Sequence, residues 1–191
     1  MKRIAIVTGI LALTAPLVMA QTSTWVSDPA HSEVDFTITH LSISNMHGRF
    51  GKVAATLAYD QTDVTKSTVT ATIDVPTIDT SEDARNNHLK TPDFFDIATY
   101  PTATFTSTSV AKSGNGLVVN GNLTLHGVTK PVVLNVDGPT GPVQGMDKKQ
   151  HSGFSATTTI SRSAFGIGTK FPASMVGDDV KLSIDLDLAK Q

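Results

Sequence analysis

Val180-Lys181-Leu182-Ser183-Ile184-Asp185-Leu186-Asp187-Leu188 carries an apolar side chain at every second position and a polar or charged one between. Successive side chains of an extended chain point to opposite faces, so this stretch reads as a strand with one buried and one wetted face. The same period recurs upstream. Val34, Phe36 and Ile38 alternate with Asp35, Thr37 and Thr39 within Glu33 to His40, and Val69, Ala71, Ile73 and Val75 alternate with Thr70, Thr72 and Asp74. Further runs carry Ala103 and Phe105; Leu117, Val119, Leu123 and Leu125; Val132, Leu134 and Val136; and Phe154, Ala156 and Ile160. Threonine fills much of the outer face, where its branched β-carbon suits a pleated strand and its hydroxyl meets water.

Turn chemistry separates the runs. Ser113-Gly114-Asn115-Gly116 supplies residues that accept positive φ and predicts a tight hairpin. Gly138-Pro139-Thr140-Gly141-Pro142 opens a polar stretch to Gln150 that reads as a longer loop. From Asp79 to Leu89 the alternation stops and capping residues appear, which predicts one short helix from about Ser81 to Leu89, ended before Pro92. Many half-apolar strands with one short helix must bury their inner faces against each other. The expected class is therefore all-β, as a sandwich or a closed antiparallel barrel, and periodicity alone leaves that choice open.

Composition narrows the functional classes. The chain has 191 residues, no cysteine, 39% hydrophobic and 17% charged residues, and a formal net charge of −2. Disulfides, thiolate-bound metal clusters and covalently attached haem are excluded by the missing cysteines. The slightly acidic balance argues against a nucleic-acid partner. Lys2 and Arg3 precede an apolar run from Ile4 to Val18 that closes on Val18-Met19-Ala20, the pattern of a secretory signal peptide over residues 1–20. The run falls short of the roughly 20 residues needed to span a bilayer, so no stable membrane insertion is expected. Cleavage after Ala20 would leave one domain, residues 21–191, with a net charge of −4 once Lys2 and Arg3 are removed.

Three groups of residues are more specific. The first is Asp28-Pro29-Ala30-His31-Ser32-Glu33-Val34-Asp35-Phe36, followed by His40-Leu41 and Gly48-Arg49-Phe50. The second is His88-Leu89-Lys90-Thr91-Pro92-Asp93-Phe94-Phe95-Asp96, then Tyr100-Pro101-Thr102-Ala103-Thr104-Phe105. The third runs from Gly121-Asn122-Leu123-Thr124-Leu125-His126-Gly127-Val128-Thr129-Lys130-Pro131 through Gly153-Phe154-Ser155-Ala156 to Ile160-Ser161-Arg162-Ser163-Ala164-Phe165-Gly166. In this order and spacing they closely resemble the YceI-like family of periplasmic polyisoprenoid- and lipid-binding proteins, over Trp25 to Leu188. The resemblance implies a lipocalin-like, extended antiparallel β-barrel, a periplasmic location, and an elongated apolar cavity for a polyisoprenoid, an isoprenoid quinone or a fatty-acyl chain. No cofactor is expected, and the resemblance links the chain to envelope stress, to lipid or quinone handling, and to alkaline or acid response, with transport, storage or sequestration of the lipid as the expected role.

From the residues alone, the apolar strand faces would ordinarily pack into a solid core. The resemblance instead implies a bore lined by Phe36, Ile38, Val69, Ala71, Ile73, Phe105, Leu123 and Leu125. Phe154, Ala156, Ile160, Phe165, Ile184 and Leu186 would continue that lining, with Phe94 and Phe95 as either a lid or a plug. A dry bore discriminates chains by length and width, so head-group choice would fall to polar residues at its mouth. His31, His40, Arg85, His88, His126 and Arg162 are the candidates. No histidine pair has the helical spacing of a metalloprotease motif, and His31 and His40 fall on opposite faces of an unbroken strand, so no metal site or catalytic residue is assigned. The alternative is an enzyme acting on a lipid or quinone-related substrate through these histidines. Whether the chain forms a homodimer is left open.

Overall fold

The computed structural model describes residues 22–191. The expected signal peptide lies outside the described residues. Eleven strands form one sheet: β1 (Thr22–Ser27), β2 (Glu33–His40), β3 (Ser44–Phe50), β4 (Val53–Asp60), β5 (Thr68–Asp74), β6 (Ile78–Asp79), β7 (Thr102–Ser113), β8 (Gly116–Leu125), β9 (Val128–Gln144), β10 (Gln150–Ser161) and β11 (Val176–Lys190). The order β1-β4-β5-β7-β8-β9-β10-β11 closes through an additional β1–β11 pairing, and every pairing is antiparallel. The result is an eight-stranded antiparallel β-barrel with one short helix.

The barrel is asymmetric because its first three long strands are broken. β1 pairs with the C-terminal end of β11 at Trp25↔Lys190, and β2 pairs with the same strand farther back, from Asp185↔Glu33 to Val176↔His40. The break is the turn Asp28–Ser32, held by Ala30 N–H donating to Asp28 Oδ1. β3 and β4 are likewise one strand interrupted at Gly51-Lys52, and a 3₁₀ turn, Val75–Thr77, parts β5 from β6. β2, β3 and β6 therefore extend the sheet past the closed ring, with β6 paired only to β3. The helix α1 (Asp83–Leu89) and the turns after it pack against this end, where Leu89, Phe94, Phe95 and Ile97 meet Val34, Phe50, Val75 and Ile78.

The sequence placed seven of these strands and passed over four. In β4, Val53, Ala55, Leu57 and Tyr59 alternate with Ala54, Thr56 and Ala58, and alanine on both faces blunts the period. β1, β3 and β6 are short or polar and are fixed by pairing with neighbours. The helix begins at Asp83 instead of Ser81, because Glu82 is the N-cap, accepting from Ala84 N–H, while Ser81 holds a positive φ of 60°. Val75 leaves the strand face for the 3₁₀ turn.

The expected loop from Gly138 to Gln150 is mostly sheet. β9 continues to Gln144 and pairs with β10 at Asp137↔Ser155, Thr140↔Gly153 and Val143↔His151, with register shifts between those pairs. The shifts fall around the two Gly-Pro pairs, where a missing N–H costs no ladder bond, and Gly138 (φ 123°) and Gly141 (φ 97°) take a conformation that only glycine holds cheaply.

Candidate functional site

The inward side chains do not fill the barrel. Ile73, Val132, Leu134, Val136, Phe154, Leu182, Ile184 and Leu186 point inward yet remain half-buried, which in a closed barrel means that they face a void. Two chambers occupy it, of about 370 and 140 Å³. Val34, Ile73, Leu123 and Leu182 line both, so the chambers are successive parts of one bore with a waist at these four residues.

The inner chamber is bounded by Val69, Ala71, Phe105, Phe154, Ala156, Ile184 and Leu186 together with Leu57, Tyr59, Val119 and Leu134. Beyond it, Trp25, Ala55, Leu57 and Leu188 pack together where β1 bridges β4 and β11. Glycine makes room for the aromatic rings. A Cβ on Gly121 would sit 2.3 Å from the Phe105 ring, and one on Gly48 would sit 2.3 Å from the Phe36 ring of the paired strand.

The outer chamber holds Phe36, Ile38, Ile73, Phe94, Phe95, Leu123, Leu125 and Ile160. It reaches the surface: His40, His47, His88 and Met175 line it and are exposed. The β2–β3 turn beside this mouth presents Leu41 and Ile43 to solvent, and Leu41 N–H donates to the Met175 carbonyl. Phe94 belongs to both the core and the cavity wall. It is buried in the core at the helical end, stacks on Phe171 at 4.9 Å, and still lines the chamber.

Of the sixteen expected lining residues, fifteen border one chamber or the other. Phe165 borders neither. It sits in the 3₁₀ turn Ser163–Phe165, only 2% exposed, within the core cluster that includes Leu125, Ile160 and Ile167. Sequence reasoning missed Met46, Phe171 and Met175, because Phe171 and Met175 lie on an irregular segment without any period to read.

The six polar candidates divide. His40, Arg85, His88 and Arg162 line the outer chamber. His31 lies outside it, exposed in the β1–β2 turn, where Asp28 pairs with its Nδ1 at 2.9 Å and raises its pKa above the usual value. His126 lies outside as well. It occupies the two-residue β8–β9 turn at φ 52°, packs its ring on Tyr100 at 4.6 Å, and has Nδ1 3.1 Å from the Phe165 carbonyl. A His-Gly pair between apolar runs was the visible sign of that turn.

Arg162 reaches the chamber but is occupied. Its Nε donates to the Gly177 carbonyl, Nη1 to those of Ile167 and Gly168, and Nη2 to those of Phe171 and Val176. These use all five guanidinium donors. Arg162 thus holds together the segment that carries Phe171 and Met175, with no N–H left for a ligand.

Arg85 differs. Nε donates to Thr80 Oγ1 at 2.8 Å and Nη2 to the Thr80 carbonyl at 2.7 Å, and both bonds fix the half-buried guanidinium over β6's end. His88 stands nearby, edge-on to Phe94 and Phe171, with Nε2 3.3 Å from Asp93. Asp93 also binds Lys170, which together with His88 holds its carboxyl below the usual carboxylate range.

The described residues contain no helix long and apolar enough to cross a membrane, and no group of three or more His, Asp or Glu side chains placed to hold a metal.

Comparisons with known proteins agree with this architecture. The chain is 36% identical over 188 residues to a UPF0312 protein of Vibrio cholerae, covering 97% of this chain and 98% of that one. The crystal structure of Burkholderia cenocepacia BcnA superposes with a TM-score of 0.73 at 30% identity, over 84% of this chain and 98% of that one. A polyisoprenoid binding domain from Saccharophagus degradans, implicated in plant cell wall breakdown, shares the fold with a TM-score of 0.63 at 17% identity, over 90% of this chain and all of that one. The YceI-like domain pattern matches residues 25–188, and the chain belongs to the YceI-like family.

Proposed function

We propose that this protein is a non-catalytic periplasmic carrier or store that holds a polyisoprenoid, an isoprenoid quinone or a fatty-acyl amphiphile in the barrel, with its tail in the inner chamber. The observation that carries this reading is the waisted apolar bore, whose outer chamber meets the surface at a mouth lined with polar side chains. Family membership supports a lipid ligand. The bore suits a slender tail because burying each methylene contributes about 0.8 kcal/mol, so one five-carbon isoprene unit gains roughly 3 to 4 kcal/mol before ordering costs. A signal peptide over residues 1–20 and release into the periplasm belong to the same proposal, as does a role in envelope stress.

Organic extraction of the purified protein followed by mass spectrometry tests the reading. A long-chain amphiphile in stoichiometric amount is the expected result. An empty protein that also takes up no long-chain alcohol or isoprenoid from solution would overturn it. The enzymatic alternative needs the block histidines to act together on one substrate, whereas His31 and His126 stand outside the bore with partners of their own.

A further inference from the structure

Arg85 is the one guanidinium at the outer chamber with donors to spare. Its two bonds to Thr80 employ Nε and one N–H of Nη2, leaving both hydrogens of Nη1 and the second of Nη2 without a partner among the described residues. No aspartate or glutamate is among the described residues that line this chamber, and the other arginine there is fully engaged. Arg85 lines the same chamber as Phe36, Leu89 and Phe95, has no counter-charge among the residues lining it, and keeps its unbonded N–H groups within reach of solvent, so they are free to receive a ligand. The free end of a guanidinium, one N–H from each Nη, matches the two oxygens of a carboxylate or phosphate.

We propose that Arg85 is the head-group site of the bore, and that the bound amphiphile carries an oxyanion, a carboxylate or a phosphate, which the Nη1/Nη2 end of Arg85 receives while the tail runs past the waist. Thr80 is the positioning residue. It presents one hydroxyl and one carbonyl to Arg85, and its hydroxyl also bonds Asn86 Oδ1 at 2.6 Å, which ties it to the helix that carries Arg85. The chemistry sets an order of preference: an acid or phosphate above an alcohol of the same tail, and an amine last. This assignment rests on the lipid-binding reading and specifies its ligand class.

The test compares tails that differ only at the head. Hexadecanoate, hexadecanol and hexadecylamine, and a polyprenyl monophosphate beside its polyprenol, compete for the purified protein in native mass spectrometry. The wild type is expected to favour at least one anion over its matched alcohol by about tenfold or more, the ratio of a charge-assisted to a neutral hydrogen bond. Which pair shows it separates carboxylate from phosphate. In Arg85→Gln the ratio should fall to near one, and in Arg85→Lys, which keeps a point charge without the fork, part of it should survive. Equal affinity for acid and alcohol in the wild type, or a ratio unchanged in Arg85→Gln, would overturn the assignment and leave the lipid reading standing. Failure of every tail to bind would overturn the lipid reading itself. Acetate or inorganic phosphate binding as tightly as the tailed anions would show a free-anion site and overturn the head-group role.

Discussion

Arg162 shows how a single side chain can be conspicuous in sequence and yet have no capacity for ligand. Its guanidinium spans five carbonyls contributed by Ile167, Gly168, Phe171, Val176 and Gly177, and lysine, a point charge with three donors, cannot reach them all. Arg162→Lys should lower unfolding free energy by about 3 kcal/mol or more, since several carbonyls around a buried side chain lose a charged donor, and denaturant titration measures it. His151 gives a prediction in pH. Its Nδ1 lies 2.6 Å from Asp187 and its Nε2 3.1 Å from Asp147, and these carboxylates, Asp187 foremost, raise its pKa above the ordinary value. A raised folded-state pKa means that the pairing stabilises fully below the unfolded value of about 6.5 and ceases to do so as pH climbs through the folded value. Histidine resonances in NMR should place the His151 midpoint above that of a model peptide, and Asp187→Asn should bring it down. The excess of wild-type Tm over that of His151→Asn should shrink on going from acid to alkaline pH.

At the level of elements, glycine sets how wide the bore can be. Gly48 on β3 faces Phe36 on β2, and a Cβ there would also come within 2.8 Å of Thr80 Cγ2. Both obstacles are side-chain ends, so Gly48→Ala should swing the Phe36 ring into the outer chamber, costing about 1 to 3 kcal/mol of stability and weakening uptake of a long-chain alcohol. Adding Phe36→Leu should recover both, an interaction that a double-mutant cycle would show as non-additive. Gly121 is less forgiving, because its Cβ would meet the Thr106 carbonyl at 2.7 Å as well as the Phe105 ring, and backbone yields less than a ring does. The Gly-Pro stretch of β9 carries the same lesson for reading sequences. Its residues have loop composition, yet Asp137, Thr140, Val143 and Gln144 are paired, since the neighbouring strand β10 supplies ladder bonds wherever β9 can accept them. Local propensity had no access to that partner.

For the whole molecule, the waist at Val34, Ile73, Leu123 and Leu182 makes chain length a measurable property of the fold. Affinity for a homologous series should rise by about fourfold per methylene while each carbon is fully buried, then level off once the inner chamber is full. Ala71→Phe or Ala156→Phe fills that chamber from opposite walls and should move the plateau to shorter tails, as calorimetric titration with alcohols of graded length would show; a plateau at unchanged length would count against a tail that passes the waist. Sequence by itself determined the alternation of Val180 to Leu188, the other inner faces, the short helix and the tight hairpin at Gly114, because each depends on neighbours two to four residues away. The recognisable blocks extended that to a barrel and to fifteen of its lining side chains. Only the tertiary structure decided that the hollow interior divides into two chambers, that Phe165 packs outside the bore, and that two arginines at one mouth differ, one saturated by five carbonyls and one left with a free fork. Those outcomes turn on partners distant in the chain, and hydrogen-bond saturation is a property of where backbone carbonyls converge, which no local pattern of residues encodes.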